Sequence, residues 1–237
     1  MSGPLRDRLV ALSPGDRRLL LAMSGVALLV LLGGIAGGVG VALARAGWID
    51  LLPEAGYRLL TLHGVGIFFY WLFLVQGAIL LALTAGEGGR GLAGRALGWA
   101  GFGLILAGMA LSLGAASGGT PLLYDGNPQL AAHEPGRLAV FNAGYILLGL
   151  GLIAIPAAGV ATLLASVRRA GAFSAVGFAL FTWAGFLMVS GFAMIYVFAP
   201  GVLWALGVGE MPANHGTNWH IVFHNMHYLP LMATVIV

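Results

Sequence analysis

Residues 138–167, LAVFNAGYILLGLGLIAIPAAGVATLLASV, run for thirty positions without one charged side chain. Arg137 stands immediately before the stretch, and Arg168 and Arg169 immediately after it. A bilayer's hydrocarbon core, about 30 Å thick, takes about 20 apolar residues in a helix. The stretch therefore reads as a transmembrane helix, and outward from it five more read the same way: 19–44, 59–85, 97–116, 172–199 and 219–237. Pro200 is expected to end the fifth, because its ring blocks helical continuation. Gly and Ala recur inside every span, as they do where helices pack backbone to backbone in lipid.

Composition agrees with this reading. Hydrophobic side chains make up 59% of the 237 residues and charged ones 8%, against about 25% charged in a soluble chain. Mean hydropathy is +0.96. An ordinary soluble domain and a disordered chain are thereby excluded. The 11 basic residues, all arginine, stand against 8 acidic ones. They form no basic stripe for a phosphate backbone, so no nucleic-acid partner is expected. Cysteine is absent, which removes disulfides, thiolate metal sites and Cys nucleophiles.

Arginine placement orients the spans. Arg6, Arg8, Arg17, Arg18, Arg90, Arg95, Arg168 and Arg169 fall on one side of an alternating chain, and Arg45, Arg58 and Arg137 on the other. The positive-inside rule puts the N-terminus in the cytoplasm and residues 115–137 and 200–218 outside. The expectation is an all-α polytopic bundle of about six spans, residues 1–237 forming one membrane domain in a prokaryotic cell membrane. The last span reaches Val237 with no anchor after it, so we read the chain as the N-terminal part of a longer protein.

Ionisable groups in a bilayer are functional hypotheses by default. No Asp, Glu or Arg falls near the middle of a span; the ionisable residue that the spans carry is histidine. His63 lies near the start of the second span and His220, His224 and His227 at the start of the sixth, whereas His133 and His215 fall in outer loops and are expected to be solvated. On helical geometry His63 and His224 sit about 7–10 Å below the outer interface, at one level that could hold a shared cofactor layer. His220, His224 and His227, at i, i+4 and i+7, are expected on one helical face. Neutral imidazole favours copper, iron and zinc, so a metal is the leading account of that cluster. Gly64 beside His63 would let a flat macrocycle approach. Tyr228, one turn after His224, could supply a proton and an electron to a metal-bound substrate.

These residues carry a resemblance. Leu60-Thr61-Leu62-His63-Gly64-Val65 resembles the second-helix signature of subunit I of the haem–copper oxidases, where the histidine is an axial ligand of the low-spin haem. Phe223-His224-Asn225-Met226-His227-Tyr228-Leu229-Pro230 resembles the sixth-helix Gly-His-Pro-x-Val-Tyr segment. There the histidine binds the active-site copper, and the tyrosine four residues on is covalently joined to it. The order and spacing of the spans, the Pro/Gly-rich outer loop with Tyr124 and the double arginine after the fourth span also fit, most closely to the B-type branch. The departures lie in the second motif. Phe223 and Asn225 replace the usual Gly and Pro, Met226 stands where the A-type branch has glutamate, and His227 and His220 replace a valine and an aromatic residue.

The resemblance implies subunit I of a terminal oxidase reducing O2 to water, coupled to proton uptake or translocation. His63 would hold the low-spin haem iron, His224 the copper, and Tyr228 would act in catalysis, with His220 and His227 as lesser candidates. Implied cofactors are low-spin and high-spin haem and copper. Implied partners are a copper-bearing subunit II, cytochrome c or another small electron donor, and membrane lipid. The family's other ligands lie on a seventh and a tenth helix, so these six spans alone are not expected to turn over. Three alternatives stay open. One is a nitric oxide reductase of the same superfamily; another is a di-iron hydroxylase or desaturase built on His220, His224 and His227. The third is a non-enzymatic transporter or cytochrome b-like anchor.

Overall fold

A computed structural model of the protein describes residues 12–89 and 91–234. Arg6, Arg8 and Arg90, counted in the charge bias above, and the end of the sixth span lie outside them. Helix α1 covers Pro14–Arg45, α2 Pro53–Gly88, α3 Arg95–Ala116, α4 Pro135–Ala170 and α5 Ala175–Ala205. Among the described residues these five are long and apolar enough to cross a membrane. The sixth stretch, α6, is helical in three successive pieces, His215–Ile221, Val222–Met226 and Tyr228–Ala233. The protein is an all-α, multi-pass membrane bundle.

Local chemistry sets the helix ends. Ser13 caps α1, its hydroxyl accepting from the Asp16 amide at 3.2 Å, with Pro14 in the first turn; the proline's missing N–H is harmless there. Gly89 and Gly171 close α2 and α4 in the left-handed conformation, at φ +67° and +84°, which an L side chain resists. Pro200 does not end α5, contrary to the sequence expectation; the helix continues to Ala205. Next to it, Gly201 packs against Asn142 of α4 and Pro128, and such neighbours hold a proline-bearing helix together in a membrane bundle.

Helix α4 is the central post, flanked by α3 and α5. Glycine lets the backbones meet: a Cβ on Gly149 would lie 2.6 Å from the Gly191 carbonyl of α5, and one on Gly144 2.6 Å from the Gly108 carbonyl of α3. Without a hydrophobic driving force between helices in lipid, close packing of this kind holds them together. Aromatic rings fill the centre. Phe69, Tyr70, Phe73, Phe141, Tyr145, Trp183 and Phe198 are fully buried, and Tyr145 stacks on Phe198 at 4.3 Å. The Tyr70 hydroxyl donates to Ser112 Oγ at 2.9 Å, and Ser112 donates on to the Phe141 carbonyl at 3.1 Å, tying α2, α3 and α4 where no water can substitute.

Polar clasps close both ends. On the N-terminal face the fully buried Asp16 pairs with Arg95 Nε at 2.7 Å and accepts from the Leu92 amide at 3.4 Å. At the distal end, Arg137 donates to the carbonyls of Ala115 and Gly118, at 2.9 and 2.7 Å, and to that of Thr120. It thus satisfies the Ala115 carbonyl, which the end of α3 leaves without an intrahelical partner, and two loop carbonyls beyond it. Its Nε also meets Glu134 at 2.5 Å.

Candidate functional site

His63 leaves α2 toward α1. Its Nδ1 lies 2.7 Å from the Gly34 carbonyl oxygen. A carbonyl only accepts, so Nδ1 carries a proton, and in the neutral imidazole Nε2 keeps its lone pair. The imidazole lies flat on a glycine-paved strip of α1: a Cβ on Gly38 would sit 2.8 Å from both Cε1 and Nδ1 of the ring. Beside it opens a cavity of about 530 Å³ between α1, α2 and α3. Its walls include Gly33, Gly34 and Gly37 of α1, Gly66 of α2, and Leu106 and Met109 of α3. Among the described residues no Asp, Glu or Arg lines it. Its size falls in the range of small-molecule and cofactor sites, which are mostly apolar.

Gly64 does not open the space expected beside His63. Its bare face is covered by the Tyr124 ring, whose Cδ1 would lie 3.3 Å from a Cβ there. The space beside His63 is cleared by the glycines of α1. Their spacing at i and i+4, Gly33 with Gly37 and Gly34 with Gly38, was the available signal, and its small-xxx-small pattern marks a close helix contact.

The histidines of α6 do not share one face. His220 and His224 are exposed, their rings nearly parallel with centroids 5.8 Å apart. His227 is 0% exposed. It sits among aromatic rings, stacked on Phe223 at 5.4 Å and edge-on to Phe69 and Phe73 at 5.4 and 5.2 Å. Among the described residues neither of its ring nitrogens has a hydrogen-bond partner. The cause is the π-helical turn Val222–Met226: a wider turn rotates the residues after it away from the α-helical phase. Among the described residues no group of three or more His, Cys, Asp or Glu side chains is placed to hold a metal ion. Tyr228 is 41% exposed and packs edge-on against Phe223 and His227.

His63 and His224 are directed differently. Phe223, next to His224, lies against Phe68 and Phe69 of α2 at 5.9 and 6.3 Å between centroids. The His63 ring turns to α1, and His224 is exposed on the bundle's surface.

The loops differ from expectation at one histidine. His133 is exposed and bonded to Thr120 Oγ1 at 2.8 Å, but His215 is 2% exposed, its Nε2 donating to the Asp125 carbonyl at 2.7 Å. Folding of the α3–α4 loop over α6 buries it. In that loop the Glu134 carboxylate is held down to about 2, chiefly by its hydrogen bond from Arg137, with Thr120 adding two more.

His63 fits an axial haem ligand: one ring nitrogen is anchored to a carbonyl, the other is available in the neutral ring, and an apolar cavity adjoins. The α6 histidines do not assemble a closed metal set; His224 offers one imidazole on an exposed face. In comparisons with known proteins, no protein-family model, no curated protein and no solved structure matches this chain, so the likeness to the oxidases rests on the two motifs and the span pattern.

Proposed function

We propose that this chain is a haem-binding subunit of a respiratory membrane enzyme of the haem–copper oxidase type, with His63 as an axial ligand of a low-spin haem. The observation that supports it is the hydrogen bond from His63 Nδ1 to the Gly34 carbonyl, 2.7 Å, at the edge of the apolar α1–α2–α3 cavity. Metal-bound histidines almost always donate their second nitrogen in this way, which fixes the tautomer and raises the basicity of the first. A bound haem would supply one-electron redox chemistry. The chain's own part is to hold the ring against α1, leave Nε2 open, and keep water from the ligand with Leu106, Met109 and the glycine strip.

Oxygen reduction, with His224 toward copper, Tyr228 as proton and electron donor, a copper-bearing second subunit and cytochrome c as donor, belongs to this proposal on the sequence motifs alone. Optical and electron paramagnetic resonance spectra of the purified protein test it, with His63→Ala as the variant. The expected result is a Soret band and a low-spin signal in the native protein, with the low-spin signal lost in the variant. A native protein without a Soret band, or a variant with the signal intact, overturns the proposal. Metal analysis separates the two superfamily activities: copper supports oxygen reduction, and a second, non-haem iron supports nitric oxide reduction.

A further inference from the structure

At the distal end the α3–α4 loop doubles back over three helices. Leu123 and Gly126, both at φ +54°, bend it so that two successive carbonyls turn inward. Tyr145 of α4 donates to the Tyr124 carbonyl at 2.8 Å, and His215 of α6 to the Asp125 carbonyl at 2.7 Å. Gly126 lies against Asn142 of α4, where a Cβ would come 2.5 Å from the amide oxygen; on the other side of the same amide, a Cβ on Gly201 of α5 would come 2.5 Å from the nitrogen.

Among the described residues four buried polar atoms in this neighbourhood have no partner: Asp125 Oδ1, both ends of the Asn142 amide, and His215 Nδ1. Asn142 is 0% exposed and His215 2%. With His215 neutral and Asp125 ionised, the ring gives its one proton from Nε2 to the Asp125 carbonyl and Nδ1 is an acceptor, so the set holds one amide donor and three acceptors. A cation would serve the acceptors and leave the Asn142 NH2 group unmet. An anion would meet the donor and oppose the acceptors. Water gives and accepts, and buried water in proteins makes hydrogen bonds of this kind to polar groups otherwise unsatisfied.

We propose that Asp125, Asn142 and His215 form a buried water-binding site that joins the α3–α4 loop to α4, α5 and α6. It is separate from the His63 cavity and does not depend on a haem. His227 supplies a control within the same chain, because it is just as buried and unpartnered but lies in an aromatic cage, and apolar cavities stay dry.

Radiolytic hydroxyl-radical footprinting with mass spectrometry tests the site on the full chain in lipid nanodiscs. Radicals formed from bound water oxidise the side chains around it. His215 and its neighbour Phe198, 5.7 Å away between ring centroids, are expected to label on the order of tenfold faster than His227. Asn142→Leu should bring His215 down to the His227 rate, and Asn142→Ser, which keeps a polar group, should not. Equal labelling of His215 and His227 in the native protein overturns the proposal, whatever the variants do. So does one equivalent of a metal ion in the purified protein that is lost in Asp125→Asn.

Discussion

Replacing Gly38 by alanine tests the placement of His63 without touching the histidine. The added methyl would sit 2.8 Å from two atoms of the imidazole, inside any real contact distance. The ring cannot retreat freely, because its Nδ1 is bonded 2.7 Å away on the neighbouring turn of α1. Either the helices spread, at about 1–3 kcal/mol for an overpacked contact, or the bond to Gly34 breaks, at about 0.5–1.5 kcal/mol. The expected loss is about 2 kcal/mol, close to thirtyfold in the folded-to-unfolded ratio. Gly37→Ala is the matched control: its methyl would meet His63 Cβ and the Leu59 carbonyl at 3.7 Å, an ordinary contact, and in a helix Ala is favoured over Gly by up to about 1 kcal/mol. Reversible unfolding in mixed micelles should separate the variants by about 2–3 kcal/mol, and a low-spin haem signal should weaken in Gly38→Ala. Equal stability of the two variants would refute the placement of the ring against α1.

Other contacts in the bundle set further outcomes. His227→Phe removes two unpartnered buried nitrogens and should stabilise the bundle by about 1–3 kcal/mol in the same unfolding assay; a loss of stability would mean that the imidazole has a polar partner. Asp16→Asn weakens the clasp with Arg95, which is 44% exposed, and should destabilise by about 1–2 kcal/mol, read as a lowered thermal midpoint. Glu134 is held at about 2, below its ordinary 4.5. Its contribution is therefore present above about pH 4.5 and lost as the pH falls through about 2. The midpoint difference between native protein and Glu134→Gln should close across that window; a difference independent of pH would argue against the Arg137 bond as its source.

Hydropathy alone specified the class of molecule and nearly all of its spans, because a helix crossing lipid must be apolar along its length whatever it packs against. The His63 motif was also readable, since its residue types stand in one short window. Relations between helices were not. The Gly34 carbonyl that anchors His63 is a backbone atom twenty-nine positions away, and no periodicity in α2 announces it. The face of His227 depended on one π-helical turn, which an i, i+4, i+7 count assumes away. His215 looked like a solvated loop residue until the α3–α4 loop closed over it. What side chains are made of is local information, whereas what each meets depends on the phase and packing of its neighbours, and only the assembled bundle sets those.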